Sequence, residues 1–228
     1  PQPNLSARLH EDSPDEFIRE CAQVIRLGSG MPQIFNDESI IPALESQGIS
    51  HKEAMNYAVV GCVELSTHGN NLSWSDAAMF NMVKVLELTL NNGTCMLTGN
   101  SMGLQTGYLE EYASYQELEG AYAKQLEYFI DTMIRLCGVV DRLHGRYLPS
   151  PLLSCVVADC VEKGIDVTVG GAKYNLSGIQ AIQVANIADS LAAVKKLVYE
   201  DKAVNPKDLR EAFRRDRRLT AASPQLRS

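Results

Sequence analysis

A thiol and a carboxylate stand two residues apart at Cys62 and Glu64, directly after the apolar run Tyr57-Ala58-Val59-Val60. That run reads as a strand leading into an extended loop, where successive side chains alternate faces. Cys62 and Glu64 then point the same way, and Val63 points back into protein. A sulfur and a carboxylate converging on one small volume is a chemical constellation. The plain alternative is that a free cysteine is a small buried hydrophobe, and spacing alone does not decide between them. Downstream, His68 sits in the polar stretch Ser66-Thr67-His68-Gly69-Asn70-Asn71, a loop by composition. Asp76 stands where a helix cap belongs. Gly170-Gly171-Ala172-Lys173 lacks the GxxxxGK[ST] pattern of a phosphate cradle.

The elements that would position these residues are short strands among more abundant helices, an α/β chain without internal repeats. Residues 5–10 read as a strand. Ser13-Pro14-Asp15-Glu16 reads as a capping box opening a helix that Gly28 ends. Asn36-Asp37-Glu38 starts a second helix with Ile40, Ile41 and Leu44 on its apolar face, although Pro42 predicts a late start or a kink. Ser50-His51-Lys52-Glu53 opens a short third. Ser75 or Asp76 is expected to begin a deeply buried helix running to about Leu90. A strand follows near Cys95–Leu97. Ser114-Tyr115-Gln116-Glu117 opens a helix of some 25 residues, to about Leu143. The Pro149-Ser150-Pro151 corner opens another, ending near Gly164. Ile165–Val169 and Gln180–Val184 read as strands around the glycine-rich turn. Ala188 to about Tyr199 is amphipathic, and Asn205-Pro206 caps a last helix.

Composition narrows the function. With 228 residues and 45% hydrophobic content, there is ample material for a core. The formal charge of -7 argues against general nucleic-acid binding. No apolar run reaches membrane-spanning length, and no signal peptide is visible. The six cysteines form neither a disulfide framework nor a CxxC metal motif, so a reduced, cytoplasmic setting is expected. All but Cys62 are expected to pack in the core. From Lys207 onward seven Lys/Arg face three acids. This predicts a basic tail, helical or disordered, over 205–228.

Several strings now take on a family character. Met31-Pro32-Gln33-Ile34-Phe35-Asn36-Asp37-Glu38, Ile41-Pro42-Ala43-Leu44 and Tyr57 through Glu64 resemble the glycyl radical enzymes of the pyruvate formate-lyase superfamily. Gly-Cys-Val-Glu is their thiyl-radical loop. Trp74-Ser75-Asp76-Ala77-Ala78-Met79-Phe80-Asn81, Gly170 through Asn175 and Val184 through Leu191 agree with it. The resemblance spans residues 1–204, as a partial pyruvate formate-lyase-like domain. It implies part of a ten-stranded barrel wrapped by helices, with the cysteine loop inside. The family's radical glycine lies in an Arg-Val-x-Gly-Tyr type string that is absent here, so the resemblance marks the chain as a fragment, inactive alone.

The subclass follows from the same strings. Pyruvate formate-lyase proper has two adjacent cysteines, whereas Gly61 and Val63 flank Cys62. A carboxylate two residues after the cysteine marks the eliminases, among them glycerol and diol dehydratases, and some decarboxylases. By resemblance, Cys62 abstracts a substrate hydrogen atom, Glu64 is the base, and Asp76 binds substrate hydroxyls; His68, in its polar loop, is read either as a plain exposed residue or as a further substrate contact. Leu65-Ser66 departs from the Pro-Gln that continues the glycerol dehydratases. The alternatives are an arylacetate decarboxylase of the same superfamily and an inactive truncated product. No cofactor or metal is expected on the chain itself. The resemblance implies a glycyl radical installed by a radical S-adenosylmethionine activating enzyme, a small-molecule substrate, anaerobic conditions and a homo-oligomer in full-length form, with neither nucleic acid nor membrane as partner.

Overall fold

The computed structural model describes residues 4–72 and 74–215. The chain divides into two compact units. One comprises Pro1–Ala77 with Val139–Ile179, the other Ala78–Gly138 with Gln180–Ser228.

In the first unit, β1 (Ser6–Leu9) pairs in parallel with β2 (Gln33–Asn36), with Ser6 opposite Gln33 and Leu9 opposite Asn36. A parallel pair needs a long crossover, and α1 (Asp15–Val24) supplies it. Ser13 does not cap α1. Its hydroxyl accepts the His10 N–H instead, at 2.9 Å. Past α1, Gly28 adopts φ +79°, the left-handed conformation expected of it. Asn36 caps α2 (Asp37–Ser46) by accepting the Glu38 N–H. Pro42 lies inside α2 rather than delaying or ending it. A proline there forfeits one backbone hydrogen bond, and the packing of Ile40, Ile41 and Leu44 against Phe35, Ile49, Ala54 and Tyr57 outweighs that loss. α3 (His51–Ala54) is short, as expected.

β3 (Tyr57–Val60) and β4 (Glu64–Thr67) then form an antiparallel hairpin, with Tyr57 opposite Thr67 and Val60 opposite Glu64. Ser66 and Thr67 thus belong to a strand. The expectation of a helix from Asp76 is overturned: β5 (Trp74–Asn81) is a strand, and α4 (Met82–Leu90) starts only where Asn81 accepts the Lys84 N–H, at 2.9 Å. The apolar run that looks like one helix is a strand followed by a helix. Periodicity does not locate such a junction when nearly every position is apolar.

α5 (Tyr115–Tyr147) is a 33-residue helix that ends four residues past the expected Leu143. Ser114 caps it as expected by accepting the Glu117 N–H, but the Glu117 carboxylate accepts the Ala113 N–H and not that of Ser114, so the expected capping box is only half made. The single helix expected after the proline corner is two turns, α6 (Pro151–Ser154) and α7 (Cys160–Lys163). Val167–Val169 is a 3₁₀ turn, not a strand, because Asp166 caps it by accepting the Thr168 N–H. β6 (Ser177–Ile182) pairs with β5. α8 (Val184–Val194) and α9 (Pro206–Arg215) complete the order. The strand expected near Cys95 is a turn, with the Gly99 N–H bonded to the Cys95 carbonyl.

Among the described residues the strands form three two-stranded sheets. The second unit's core gathers Val85, Leu86, Leu90, Leu109, Leu118 and Tyr122 with Ile187, Val194 and Val198. No helix of the described residues is long and apolar enough to cross a membrane. Cys21, Cys95 and Cys160 are buried as expected, whereas Cys155 is exposed and Cys137 half-buried. Of the basic tail, residues 216–228 lie outside the described residues.

Candidate active site

Cys62 occupies the tip of the β3–β4 hairpin, in a three-residue turn, Gly61-Cys62-Val63. The turn is not extended, so strict alternation fails. Gly61 takes φ +61°, a conformation that costs residues bearing a Cβ about 1–2 kcal/mol. Val63 does not point into protein; it is 44% exposed. Cys62 is exposed as well.

The turn still brings the Glu64 carboxylate back onto the cysteine's backbone amide, by a route that alternation does not anticipate. Glu64 Oε2 accepts the N–H of Cys62 at 2.8 Å and that of Val63 at 2.9 Å. The carboxylate thereby closes the turn from its C-terminal side. A Cβ on residue 61 would stand 3.0 Å from the same oxygen, so the space Glu64 uses exists because residue 61 is glycine. Asn4 approaches from β1's side, its amide 3.3 Å from the Gly61 carbonyl and 3.7 Å from Cys62 Sγ.

The hairpin's base is fixed by charge. Arg8 on β1 grips Asp37 through two hydrogen bonds of 2.9 and 2.7 Å, and donates to the carbonyls of Tyr57 and Met55. Tyr57 donates its hydroxyl to the same Asp37 at 2.7 Å, and the guanidinium lies 3.9 Å over its ring. The Arg8 hydrogen bonds hold the Asp37 carboxyl below its ordinary range, and burial above all pushes the Tyr57 hydroxyl up to about 12. A second carboxylate, Glu53 on α3, collects Lys173 at 2.6 Å, the Tyr174 hydroxyl at 2.6 Å, Ser50 and Asn70. Those hydrogen bonds, Lys173 foremost, bring Glu53 to about 2. Glu53 thus ties the turn after β4 to the glycine-rich stretch 170–174, whose Lys173 and Tyr174 both donate to it. Asn175 supports that stretch by donating to the Ala172 carbonyl at 3.0 Å.

The hydrogen bonds that join two of the four predicted site residues run between Cys62 and Glu64. His68 is exposed in the turn after β4, and Asp76 is exposed on β5. Sequence reasoning missed Asn4 and Arg8, which lie 57 positions from Gly61 and 29 to 49 positions from Asp37, Met55 and Tyr57 respectively. Gly61 carried a readable signal, since a glycine between two β-rich runs marks a hairpin turn. Among the described residues no group of three or more His, Cys, Asp or Glu could hold a metal ion.

An α/β chain that presents Cys and Glu on one hairpin turn defines a recognisable class. The Pyruvate formate lyase-like family matches residues 1–219, and the chain belongs to that family of glycyl radical enzymes. Among its relatives, it is 37% identical over 212 residues to (2S)-3-sulfopropanediol dehydratase of Klebsiella oxytoca, covering 93% of this chain and 26% of that enzyme. It superposes with a TM-score of 0.83, at 40% identity, on the glycerol-bound B12-independent glycerol dehydratase from Clostridium butyricum, covering 97% of this chain and 28% of that one. It is also 29% identical, over 93% of its length and 24% of the relative's, to indoleacetate decarboxylase of Tractidigestivibacter scatoligenes. The chain thus spans about a quarter of the length of the relatives it matches.

Proposed function

We propose that the chain is the thiol-bearing part of a glycyl radical lyase that eliminates water, or a comparable leaving group, from a small hydroxylated substrate inside a ten-stranded barrel. The observation that carries this reading is the closed turn in which Glu64 bonds the Cys62 and Val63 amides, in a family whose members include dehydratases. An exposed thiol at a hairpin tip fits hydrogen-atom exchange with a residue brought from elsewhere. A glycyl radical, installed by a radical S-adenosylmethionine enzyme, supplies the unpaired electron.

Cys62 then takes a hydrogen atom from a carbon bearing a hydroxyl, forming S–H and leaving a carbon radical. That hydroxyl becomes more acidic, and Glu64 accepts its proton. A carboxylate has about four acceptor sites, and the two turn amides do not exhaust them. The neighbouring hydroxyl takes that proton from Glu64 and leaves as water, which returns the carboxylate. The resulting carbonyl radical recovers a hydrogen atom from Cys62, which restores the starting state. Asp76 and His68 are the substrate contacts, with Asp76 orienting hydroxyls so that the radical does not drift.

The test uses the complete polypeptide that carries these residues, activated without oxygen and offered 1,2-diols and arylacetates in parallel. The expected result is aldehyde formation from a diol. Cys62→Ala abolishes it, and Glu64→Gln lowers kcat by about 10²- to 10⁴-fold, the span of general-base effects. Turnover by Cys62→Ala overturns the reading. Decarboxylation of indoleacetate in place of diol dehydration transfers the proposal to the second reading, an arylacetate decarboxylase, for which the indoleacetate decarboxylase likeness speaks.

A further inference from the structure

Far along the chain from the hairpin, the second unit holds a partly buried group of reactive side chains that the elimination chemistry does not use. Lys84, in the first turn of α4, directs its ammonium at three acceptors: both oxygens of Glu87, at 2.6 and 2.7 Å, and Cys95 Sγ, at 3.0 Å. An ammonium has three donors, and all three are engaged. Glu87 is held in turn by the Met96 N–H at 2.8 Å. The sulfur is held by the turn Cys95–Asn100, in which the Cys95 N–H reaches the Asn100 carbonyl at 2.9 Å and the Thr98 N–H reaches Sγ at 3.5 Å. Nitrogen and sulfur are therefore fixed against each other from both sides, close to the separation that one bridging oxygen imposes.

Local electrostatics prepare the sulfur. Burial pushes the Cys95 thiol up, but the hydrogen bonds from Lys84 and Thr98 outweigh it, so the thiol titrates below its ordinary value. Thiolate character is what makes a cysteine oxidisable. Cys95 itself is 3% exposed, which protects it from large reagents. The Lys84 side chain is 31% exposed, which opens the nitrogen end of the pair to small solutes, and its partner Glu87 lines a cavity of about 460 Å³ with Met96.

We infer that Lys84 and Cys95 form an oxidation site, at which hydrogen peroxide joins Nζ to Sγ through a single oxygen atom. The atoms balance with two peroxides. The thiolate attacks one, an S–O bond forms as O–O breaks, and the sulfur is oxidised to a sulfenic acid with release of water. Lys84, in the neutral form left when its ammonium releases a proton to water under alkaline conditions, attacks the second and is oxidised to the hydroxylamine, again with release of water. The hydroxylamine oxygen then displaces the sulfenic hydroxyl as a third water, leaving Nζ–O–Sγ. The product pins the Cys95–Asn100 turn to the start of α4, and a thiol reductant reverses it.

The experiment treats the 228-residue chain with hydrogen peroxide, folded and in denaturant, and maps its peptides by mass. The expected result is a pair of peptides joined through Lys84 and Cys95, heavier than their sum by about 14 Da, one oxygen gained and two hydrogens lost. The link forms in the folded sample, is lost in denaturant, disappears with dithiothreitol, and is absent in Lys84→Arg and in Cys95→Ser. Two results overturn the inference: Cys95 carried to sulfinic acid on an unlinked peptide, or a link with no oxygen gained. The folded wild-type map decides by itself, whatever the variants' stability.

Discussion

At the scale of single residues, the site depends on a missing methyl group. Gly61 supplies both a positive φ and the space into which Glu64 folds. Gly61→Ala should therefore destabilise the turn by about 1–2 kcal/mol and push the carboxylate off the Cys62 and Val63 amides. Hydrogen exchange should show those two amides losing protection while the β3–β4 ladder keeps its own. Unchanged protection would mean the carboxylate does not need that space. Glu53 and Asp166 give a pH signature. Hydrogen bonds bring both to about 2, Glu53 chiefly through Lys173 and Asp166 chiefly through Thr168, from ordinary values of 4.5 and 3.8. A carboxyl depressed by folding stabilises fully above its unfolded value and loses that contribution as pH falls through its folded value. Acid should thus weaken the first unit progressively from about pH 4.5 to about pH 2. Glu53→Gln should flatten that slope when urea midpoints are measured across the range.

At the scale of elements, Arg8 joins three that are distant in sequence: β1, the start of α2 and the start of β3. Arg8→Ala removes a bidentate charged pair and two carbonyl contacts. With the guanidinium about one-third exposed, the expected loss is about 2 kcal/mol, and Arg8→Lys should restore little of it because an ammonium has no fork. Equal midpoints for Arg8→Lys and wild type in a urea titration would contradict this. The same elements show what the sequence discloses. Asn36, Ser114 and Asn205 announce their helices because a cap is a local device, and all three accept the amides expected of caps. The β5–α4 junction is hidden by a run apolar on every side. β2 is missed because a four-residue strand paired to residues 27 positions away leaves little local trace. In the candidate site, the proximity of Cys62 and Glu64 is legible from the motif. The closed turn is not, since it arises from a positive φ at Gly61 that alternation ignores.

At the scale of the whole chain, the surface carries much apolar material. Leu27, Leu136, Tyr147, Leu148, Leu152 and Val156 are each more than 60% exposed. Exposed apolar surface on that scale seeks cover. The isolated 228-residue chain should therefore self-associate with rising concentration and bind a hydrophobic dye. A monodisperse, dye-silent species at high concentration, with a sharp cooperative melt, would contradict that expectation. One consequence of the hairpin concerns length instead of chemistry. Its register pairs Val60 with Glu64 across three intervening positions, and side chains alternate with a period of two. Adding or deleting a single codon there, with the turn kept at three residues, would slip the β3–β4 pairing by one position and turn the carboxyl to the opposite surface of the ribbon. In a library of variants, this tip should tolerate substitution of the exposed Val63 better than any change of count.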